Sequence, residues 1–218
     1  MESLTIVAVL VGAYLLGAIP SGLLIARAYG ISDIRAHGSG NIGATNVWRI
    51  VGPRAAVWVY VADIGKGAVA VLVARQIHTG AMNHDLFLVF TALAVVVGNI
   101  FPVYLKFRGG KGVNTSLGAF VVLLTWQTLV CLGIFLVVVS VTRYISLGSM
   151  VAASCLFVIL ILEKYVFARE VAPVYLILSG FMAALILITH RRNVGRLISG
   201  TESKFSLTEK SRGADPRG

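Results

Sequence analysis

Residues 86–105 (LFLVFTALAVVVGNIFPVYL) form an apolar stretch with no charged side chain, followed at once by the basic run 106–112 (KFRGGKG). About 20 residues of α-helix are needed to cross the hydrocarbon core of a bilayer, so this stretch is predicted to be a membrane-spanning helix. Apolar segments of similar length recur along the chain. Together they cover residues 4–26, 51–74, 86–105, 117–141, 147–167 and 171–189. We therefore predict an all-α integral membrane protein.

The composition supports a membrane protein and argues against a soluble one. Hydrophobic residues make up 57% of the chain and charged residues only 13%, whereas soluble domains are about half apolar and about a quarter charged. Much of the net charge of +10 lies between the apolar segments or at the C-terminus, as expected for cytoplasmic loops. We therefore expect membrane lipid, and no nucleic acid, as a partner. Cys131 and Cys155 fall inside apolar segments, so no disulfide is expected.

The placement of basic residues predicts the topology. Three polar runs, 38–49, 106–112 and 190–196, are all basic and should share the cytoplasmic face. Six simple crossings would put the third run on the opposite face, so one extra crossing is needed. The polar interruption 125–128 (TWQT) predicts two short or broken helices within segment 117–141. The expected fold is a compact bundle of about seven transmembrane helices, with the N-terminus outside and the C-terminus cytoplasmic.

The domain organisation is simple. We expect a single polytopic domain over residues 1–200 and a polar, disordered cytoplasmic tail over residues 201–218. His78 and His84 lie in an outward loop with only Asp85 nearby, so no metal site is predicted. No other cofactor is expected.

Two charged residues, Asp63 and Lys66, fall deep inside the second apolar segment. They are three residues apart and therefore share one face of a helix. Charges inside a membrane are unfavourable unless they are paired or functional. We favour a structural ion pair that joins neighbouring helices; a path for a substrate or an ion is the second interpretation.

The run 38–46 (GSGNIGATN), closed by Arg49, is rich in glycine, amide and hydroxyl groups. Such a run brings many backbone N–H groups against a ligand, which is typical of a phosphate cradle. Its letters match a dinucleotide-binding fingerprint, but a membrane helix precedes it where that motif requires a strand. The run 106–112 is not a P-loop, because Gly112 stands at the Ser/Thr position. A tight turn without any ligand is the alternative for the first run.

The second and third polar runs add cations and a histidine. Arg108 and Lys111 alternate with glycines, which lets the backbone close around an anion while the cations supply charge. His190 and Asn193 are three residues apart, so one helix turn can direct both at one ligand. His190 is a candidate hydrogen-bond donor or general acid/base. The plainer alternatives are an ordinary basic cytoplasmic loop and a polar cap at the end of a membrane helix.

Taken together, these three runs resemble the motifs of the PlsY family, the bacterial glycerol-3-phosphate acyltransferases that use acyl phosphate. The resemblance extends from the first apolar segment to Glu202. It implies a seven-helix protein of the bacterial cytoplasmic (inner) membrane, with its active site facing the cytoplasm. The implied reaction transfers an acyl group from acyl phosphate to glycerol 3-phosphate, giving 1-acyl-glycerol 3-phosphate (lysophosphatidic acid) and phosphate. This is the first acylation step of phospholipid synthesis. Transient contact with the soluble enzyme that forms acyl phosphate is also implied.

The resemblance also implies roles for individual residues. Ser39, Arg49 and Lys111 would hold glycerol 3-phosphate, His190 and Asn193 would orient it, and the backbone of residues 40–45 would receive the donor phosphate. The catalytic candidates are His190, Asn193, Ser39 and Lys111; the substrate-binding candidates are Arg49, Gly40, Asn41, Gly43, Thr45, Asn46, Arg108, Gly109, Gly110 and Gly112. We expect a direct transfer without a covalent acyl-enzyme. The chain departs from the family pattern at Asn99 (usually His), Asn114 (usually Ala) and Arg108 (usually Lys).

A different class of function stays open. The intramembrane charges Asp63 and Lys66 and the interruption near Trp126 are also typical of a small transporter for an organic phosphate or another anion. Against it, no inverted repeat is visible and the polar runs are predicted to cluster on one side. An anchoring subunit without chemistry would leave the glycine-rich basic runs unexplained. Product formation, as opposed to uptake, distinguishes the first two.

Overall fold

The computed structural model describes residues 1–77 and 80–206. His78 and residues 207–218, which include most of the predicted tail, lie outside the described part. The described residues contain ten α-helices and two short 3₁₀ turns, Ile34–Ala36 and Val103–Leu105. In chain order the helices are α1 (Glu2–Ala18), α2 (Ser21–Ala28), α3 (Ala44–Ile50), α4 (Pro53–Arg75), α5 (His84–Ile100), α6 (Val113–Leu123), α7 (Thr125–Thr142), α8 (Ile145–Tyr165), α9 (Pro173–Thr189) and α10 (Arg191–Ile198).

The predicted all-α membrane bundle is confirmed, and each of the seven expected segments is helical. Among the described residues, five runs are long and apolar enough to cross a membrane, and α1 with α2 counts as one of them. Helix α9 becomes a sixth if α10, bent from it by 59°, is included. Helix α6 is apolar but has only 11 residues. The predicted interruption of segment 117–141 occurs at Leu124, whose φ of −139° separates α6 from α7. The short helix α6 is therefore the additional segment that the charge distribution predicted.

The first apolar segment, predicted as one continuous helix, is broken at Pro20. Proline has no N–H to donate, so the helix ends before it and leaves carbonyl groups without partners. At this break the Lys66 ammonium donates to the Ile19 carbonyl oxygen at 2.6 Å and also to Asp63 Oδ1 at 2.8 Å. The Asp63–Lys66 pair thus ties α4 to the break between α1 and α2. The structural interpretation of the pair is confirmed.

Glycines let two helix pairs approach closely. A Cβ at Gly17 would overlap the Val95 carbonyl, and one at Gly98 would overlap the Tyr14 carbonyl, so α1 and α5 pack backbone against backbone. Helices α4 and α6 meet in the same way at Gly67. Small residues at such crossings are typical of membrane helices, which associate through close packing. These contacts hold the polar runs at one end of the bundle.

The chain after α10 differs from the predicted tail. Residues 201–206 pack against the bundle: the Phe205 amide donates to the Arg143 carbonyl oxygen at 2.7 Å, and the rings of Trp48 and Phe205 lie 5.2 Å apart. The Arg49 guanidinium donates to the Ser203 carbonyl oxygen at 3.2 Å. The polar composition predicted disorder, but Ser203 and Phe205 contact residues of α3 and of the α7–α8 turn.

Candidate active site

A cavity of about 470 Å³ lies at the end of the bundle where the three polar runs meet. One part of its wall is polar and cationic, with Ser39, Asn41, Arg49, Lys111, His190 and Arg196. The rest is an apolar groove between α6, α7, α8 and α9, with Leu117, Phe120, Leu132, Phe135, Leu156 and Met182. A concave site with a few polar groups at one end of an apolar wall suits an amphipathic ligand with an anionic head.

The loop over residues 38–46 is held by the side chain of Asn46, which is 1% exposed. Its Oδ1 accepts from the Ser39 amide at 2.9 Å, and its Nδ2 donates to the carbonyl oxygens of His37 and Asn41 at 3.0 and 2.9 Å. Asn41 Oδ1 in turn accepts from the Gly43 amide at 2.8 Å. These two amide side chains shape the loop. The amides of Ala44 and Thr45, which begin α3, have no acceptor within the helix, and both residues line the cavity.

The second polar run is pressed against the end of α5. The amides of Gly109 and Gly110 donate to the carbonyl oxygens of Ile100 and Asn99 at 3.1 and 3.0 Å. A Cβ at Gly109 would overlap the Asn99 carbonyl and the Pro102 ring. Only glycine therefore allows this approach, which carries Lys111 to the cavity wall.

Lys111 belongs to a chain of short hydrogen bonds that ends at Glu202. The ammonium donates to Asn193 Oδ1 at 2.6 Å, and Asn193 Nδ2 donates to Glu202 Oε1 at 2.6 Å. Ser146 Oγ donates to the same carboxylate oxygen, and Arg196 Nε donates to the other, both at 2.6 Å. The network fixes the amide of Asn193, so the positions of the lysine and of α10 depend on Glu202.

Burial lowers the pKa of Lys111 to about 8, with a further contribution from the charges of Arg196 and Arg49 and with Glu202 acting against it. The ammonium therefore stays mostly protonated at neutral pH. Burial alone would raise the pKa of Glu202, but the hydrogen bonds from Ser146, Arg196 and Asn193 hold it below its ordinary value. Both partners are thus charged, and the cavity wall has a net positive charge.

His190 is 2% exposed and lines the cavity, so it is not a polar cap reaching into water. Its Nδ1 lies 2.8 Å from the Ile186 carbonyl oxygen. Because a carbonyl can only accept, Nδ1 carries the hydrogen and Nε2 of the neutral ring is an acceptor. Burial and the charge of Lys111 lower the pKa of His190 to about 4. The ring is therefore neutral at pH 7, with a free nitrogen able to accept a proton.

The structure brings most of the predicted site residues together. The cavity wall includes all of them except Gly40, Arg108 and Gly109: His190, Asn193, Ser39, Lys111, Arg49, Asn41, Gly43, Thr45, Asn46, Gly110 and Gly112. Asn99 and Asn114, the departures from the family pattern, also line it. Arg108 is exposed, and Gly40 and Gly109 shape the loops.

Sequence reasoning did not include Glu202 or Ser146 among the site residues. Glu202 comes six residues after Arg196, close to the third polar run, and this closeness was the available signal. It was overlooked because it lies in a segment whose polar composition predicts disorder. Ser146 has no distinguishing sequence pattern. Within residues 1–77 and 80–206, no group of three or more His, Cys, Asp or Glu side chains is placed to hold a metal ion.

Comparison with known proteins agrees with this site. A family model described as glycerol-3-phosphate acyltransferase matches residues 7–200. Proteins named glycerol-3-phosphate acyltransferase from Trichlorobacter lovleyi and Geotalea daltonii are 44% and 40% identical; the alignments cover 89% and 91% of this chain and 94% and 97% of theirs.

Two crystal structures of PlsY (YgiH), an integral membrane glycerol 3-phosphate acyltransferase, share the fold. The glycerol 3-phosphate form has a TM-score of 0.84 and 36% identity, covering 94% of this chain and 98% of that one. The lysophosphatidic acid form has a TM-score of 0.82 and 35% identity, covering 94% and 97%. The chain therefore belongs to the glycerol-3-phosphate acyltransferase family of integral membrane enzymes.

Proposed function

We propose that this membrane acyltransferase transfers an acyl group from acyl phosphate to glycerol 3-phosphate, giving 1-acyl-glycerol 3-phosphate and phosphate. The observation that carries the proposal is one continuous cavity whose cationic wall leads into an apolar groove. An acyl phosphate has an anionic head and a long alkyl chain, and it matches both parts of the wall. The crystal structures of PlsY with glycerol 3-phosphate and lysophosphatidic acid support the acceptor and the product.

Glycerol 3-phosphate is held by Ser39, Arg49 and Lys111 in this proposal. The Lys111 ammonium has three hydrogens and gives one to Asn193, so two are left for a phosphate. The Arg49 guanidinium donates one N–H to the Ser203 carbonyl oxygen, and its other N–H groups remain for a phosphate. Charge-assisted hydrogen bonds of this kind are the strong ones in a partly buried site. The donor phosphate then lies at the backbone of residues 40–45 and at Thr45.

The transfer is a direct displacement. The primary hydroxyl oxygen of the acceptor attacks the acyl carbon, the bond from that carbon to the bridging phosphate oxygen breaks, and phosphate leaves. The hydroxyl proton goes to Nε2 of neutral His190 or to the donor phosphate itself. Because phosphate is already a good leaving group, positioning and stabilisation of developing negative charge supply the catalysis.

The charge pattern supports the orientation in the membrane. In this proposal the active site and the C-terminus lie in the cytoplasm and the N-terminus lies outside, in a bacterial inner membrane. The three basic polar runs and the basic residues between spans support that orientation. Acyl phosphate would reach the site from the soluble enzyme that forms it, through transient contact at this basic face. Residues 1–200 form the single catalytic domain, to which the segment 201–206 adds Glu202.

The test is acyl transfer by purified protein in lipid, given glycerol 3-phosphate with either palmitoyl phosphate or palmitoyl-CoA. We expect lysophosphatidic acid from palmitoyl phosphate alone. Product from palmitoyl-CoA alone would refute the proposed donor. No product from either donor, with a protein shown to be folded, would favour the transporter. The intramembrane charges no longer favour the transporter, because Lys66 forms hydrogen bonds with Asp63 and with the Ile19 carbonyl oxygen and so has a structural role.

A further inference from the structure

The apolar groove follows one stripe of each of three helices and then stops. On α9 the stripe runs from His190 through Ile186 and Met182 to Ser179, at helical spacing. On α8 the stripe ends at Leu156, well inside the helix, and on α7 it ends at Thr128, in the first turn of that helix. These three residues, Thr128, Leu156 and Ser179, are called the groove floor below.

A packed layer closes the groove beyond this floor. Leu124, Leu160 and Leu178 are 9%, 0% and 3% exposed, and none of them lines the cavity. Leu124 and Leu160 lie one helical turn beyond Thr128 and Leu156. A ligand that enters from the polar end therefore meets a wall of leucine side chains at this level.

Hydrogen bonds hold α7 and α8 together beyond the floor. Gln127, next to Thr128, donates its Nε2 to Glu163 Oε2 at 2.9 Å, and Arg169 pairs with Glu163 Oε1 at 3.2 Å. Glu163 is buried, so separating these groups would leave a charge without its partners in an apolar environment. The two helices therefore resist being spread apart by a longer ligand.

The distance from the reacting end to the floor can be counted along the helices. Ser179 lies 11 residues before His190 on α9, and Leu156 lies 10 residues after Ser146 on α8. At ~1.5 Å per residue these are depths of roughly 15–17 Å. An extended chain advances ~1.2 Å per bond, since three backbone bonds span ~3.6 Å. The groove therefore accommodates about 13 or 14 bonds, close to an acyl chain of 14–16 carbons.

We propose that the groove floor at Thr128, Leu156 and Ser179 sets the longest acyl chain that this enzyme transfers efficiently. The inference rests on the proposed acyl-phosphate reaction and adds to it the residues that select among donors. Each methylene that finds no place in the groove loses its share of hydrophobic burial or forces the reacting carbonyl away from His190. The value of kcat/KM should then fall roughly tenfold for every two carbons by which the acyl chain exceeds the length of the groove.

Thr128 provides both the test and its control. Its Oγ1 is buried without a hydrogen-bond partner, so Thr128→Val removes a hydroxyl but breaks no bond and keeps the volume. Thr128→Leu adds length at the floor and shortens the groove by about one bond. Ser179→Leu does the same from α9 and serves as an independent variant.

The experiment measures kcat/KM for saturated acyl phosphates of 10 to 18 carbons with the wild type and the three variants in lipid. We expect the wild-type optimum near 14–16 carbons and a fall at 18. Both leucine variants should shift the optimum shorter by about one carbon, and kcat/KM with the longest donors should fall about fourfold, while Thr128→Val keeps the wild-type profile.

Turnover of the 10-carbon donor shows that each variant is folded and competent. Wild-type profiles in two active leucine variants, or no fall at 18 carbons in the wild type, would overturn the floor and leave the reaction intact. A folded wild type that uses no acyl phosphate of any length would instead refute the proposed function itself.

Discussion

Replacing Lys111 with methionine removes the charge but keeps most of the side-chain length. At an effective dielectric constant near 20, two unit charges 4 Å apart interact by about 4 kcal/mol. Because Arg49 and Arg196 also line the cavity and can share the phosphate charge, we expect Lys111→Met to lose about 2–4 kcal/mol, or roughly 30- to 1,000-fold in kcat/KM for glycerol 3-phosphate.

The stability of the variant should move differently from its activity. Since burial lowers the pKa of Lys111 to about 8, the folded state holds the charged lysine less favourably than the unfolded chain does at pH 7. Removing that charge offsets the loss of the hydrogen bond to Asn193, so Tm in detergent should not fall. A large loss of activity with an unchanged Tm would identify Lys111 as part of the site.

The assay follows lysophosphatidic acid formation at varied glycerol 3-phosphate and saturating palmitoyl phosphate. Lys106→Met is the matched control, because Lys106 lies in the same loop, is exposed and does not line the cavity. It should change kcat/KM by less than about threefold, in keeping with an exposed charge. Activity of Lys111→Met within threefold of the wild type would refute the assignment of the cationic wall to phosphate binding.

Three further predictions follow from the site and from the ion pair below it. The kcat/KM profile should fall above pH 8, because Lys111 with its pKa of about 8 loses its proton there. It should also fall below pH 4, because His190 with its pKa of about 4 gains a proton. A flat profile through pH 9 would contradict the role of Lys111. Glu202→Gln removes a charge that raises the pKa of Lys111, so the basic limb should move to lower pH. Tm at pH 7 should fall as well, because the hydrogen bonds that lower the pKa of Glu202 stabilise the folded state while it is charged. An unmoved basic limb would show that the two groups are not coupled. Asp63→Asn leaves the Lys66 charge buried without its partner and should lower the free energy of unfolding by about 3–5 kcal/mol. Adding Lys66→Met should restore most of that loss. Full stability of Asp63→Asn in thermal unfolding would argue against a stabilising ion pair.

The membrane helices could be predicted because their apolar runs are long and their loops are basic. The break at Leu124 was also predictable, since polar residues inside an apolar run are tolerated only where the helix is interrupted. The break at Pro20 was not predicted, although its signal, a proline followed by Ser21 and Gly22 inside an apolar run, is present in the sequence. Its partner, Lys66, lies far away in sequence, and no local pattern connects the two.

The candidate site could be assembled from motifs but not from their geometry. Glycine-rich runs with cations indicated an anion site, and the cavity includes most of those residues. Sequence could not show that Asn46 is occupied in holding the loop, or that Glu202 connects Arg196, Asn193 and Ser146. Such roles depend on hydrogen bonds between segments that are distant along the chain.

The central claim is that an acyl carbon moves directly from a phosphate to glycerol 3-phosphate. The measurement that tests it most directly uses acyl phosphate carrying ¹⁸O in the bridging oxygen, with purified wild-type protein in lipid. We predict equal amounts of lysophosphatidic acid and phosphate, with all of the label in the phosphate and no acylated protein. Label retained in the acyl product, an acyl-protein that can be trapped, or no lysophosphatidic acid from folded protein would contradict the account.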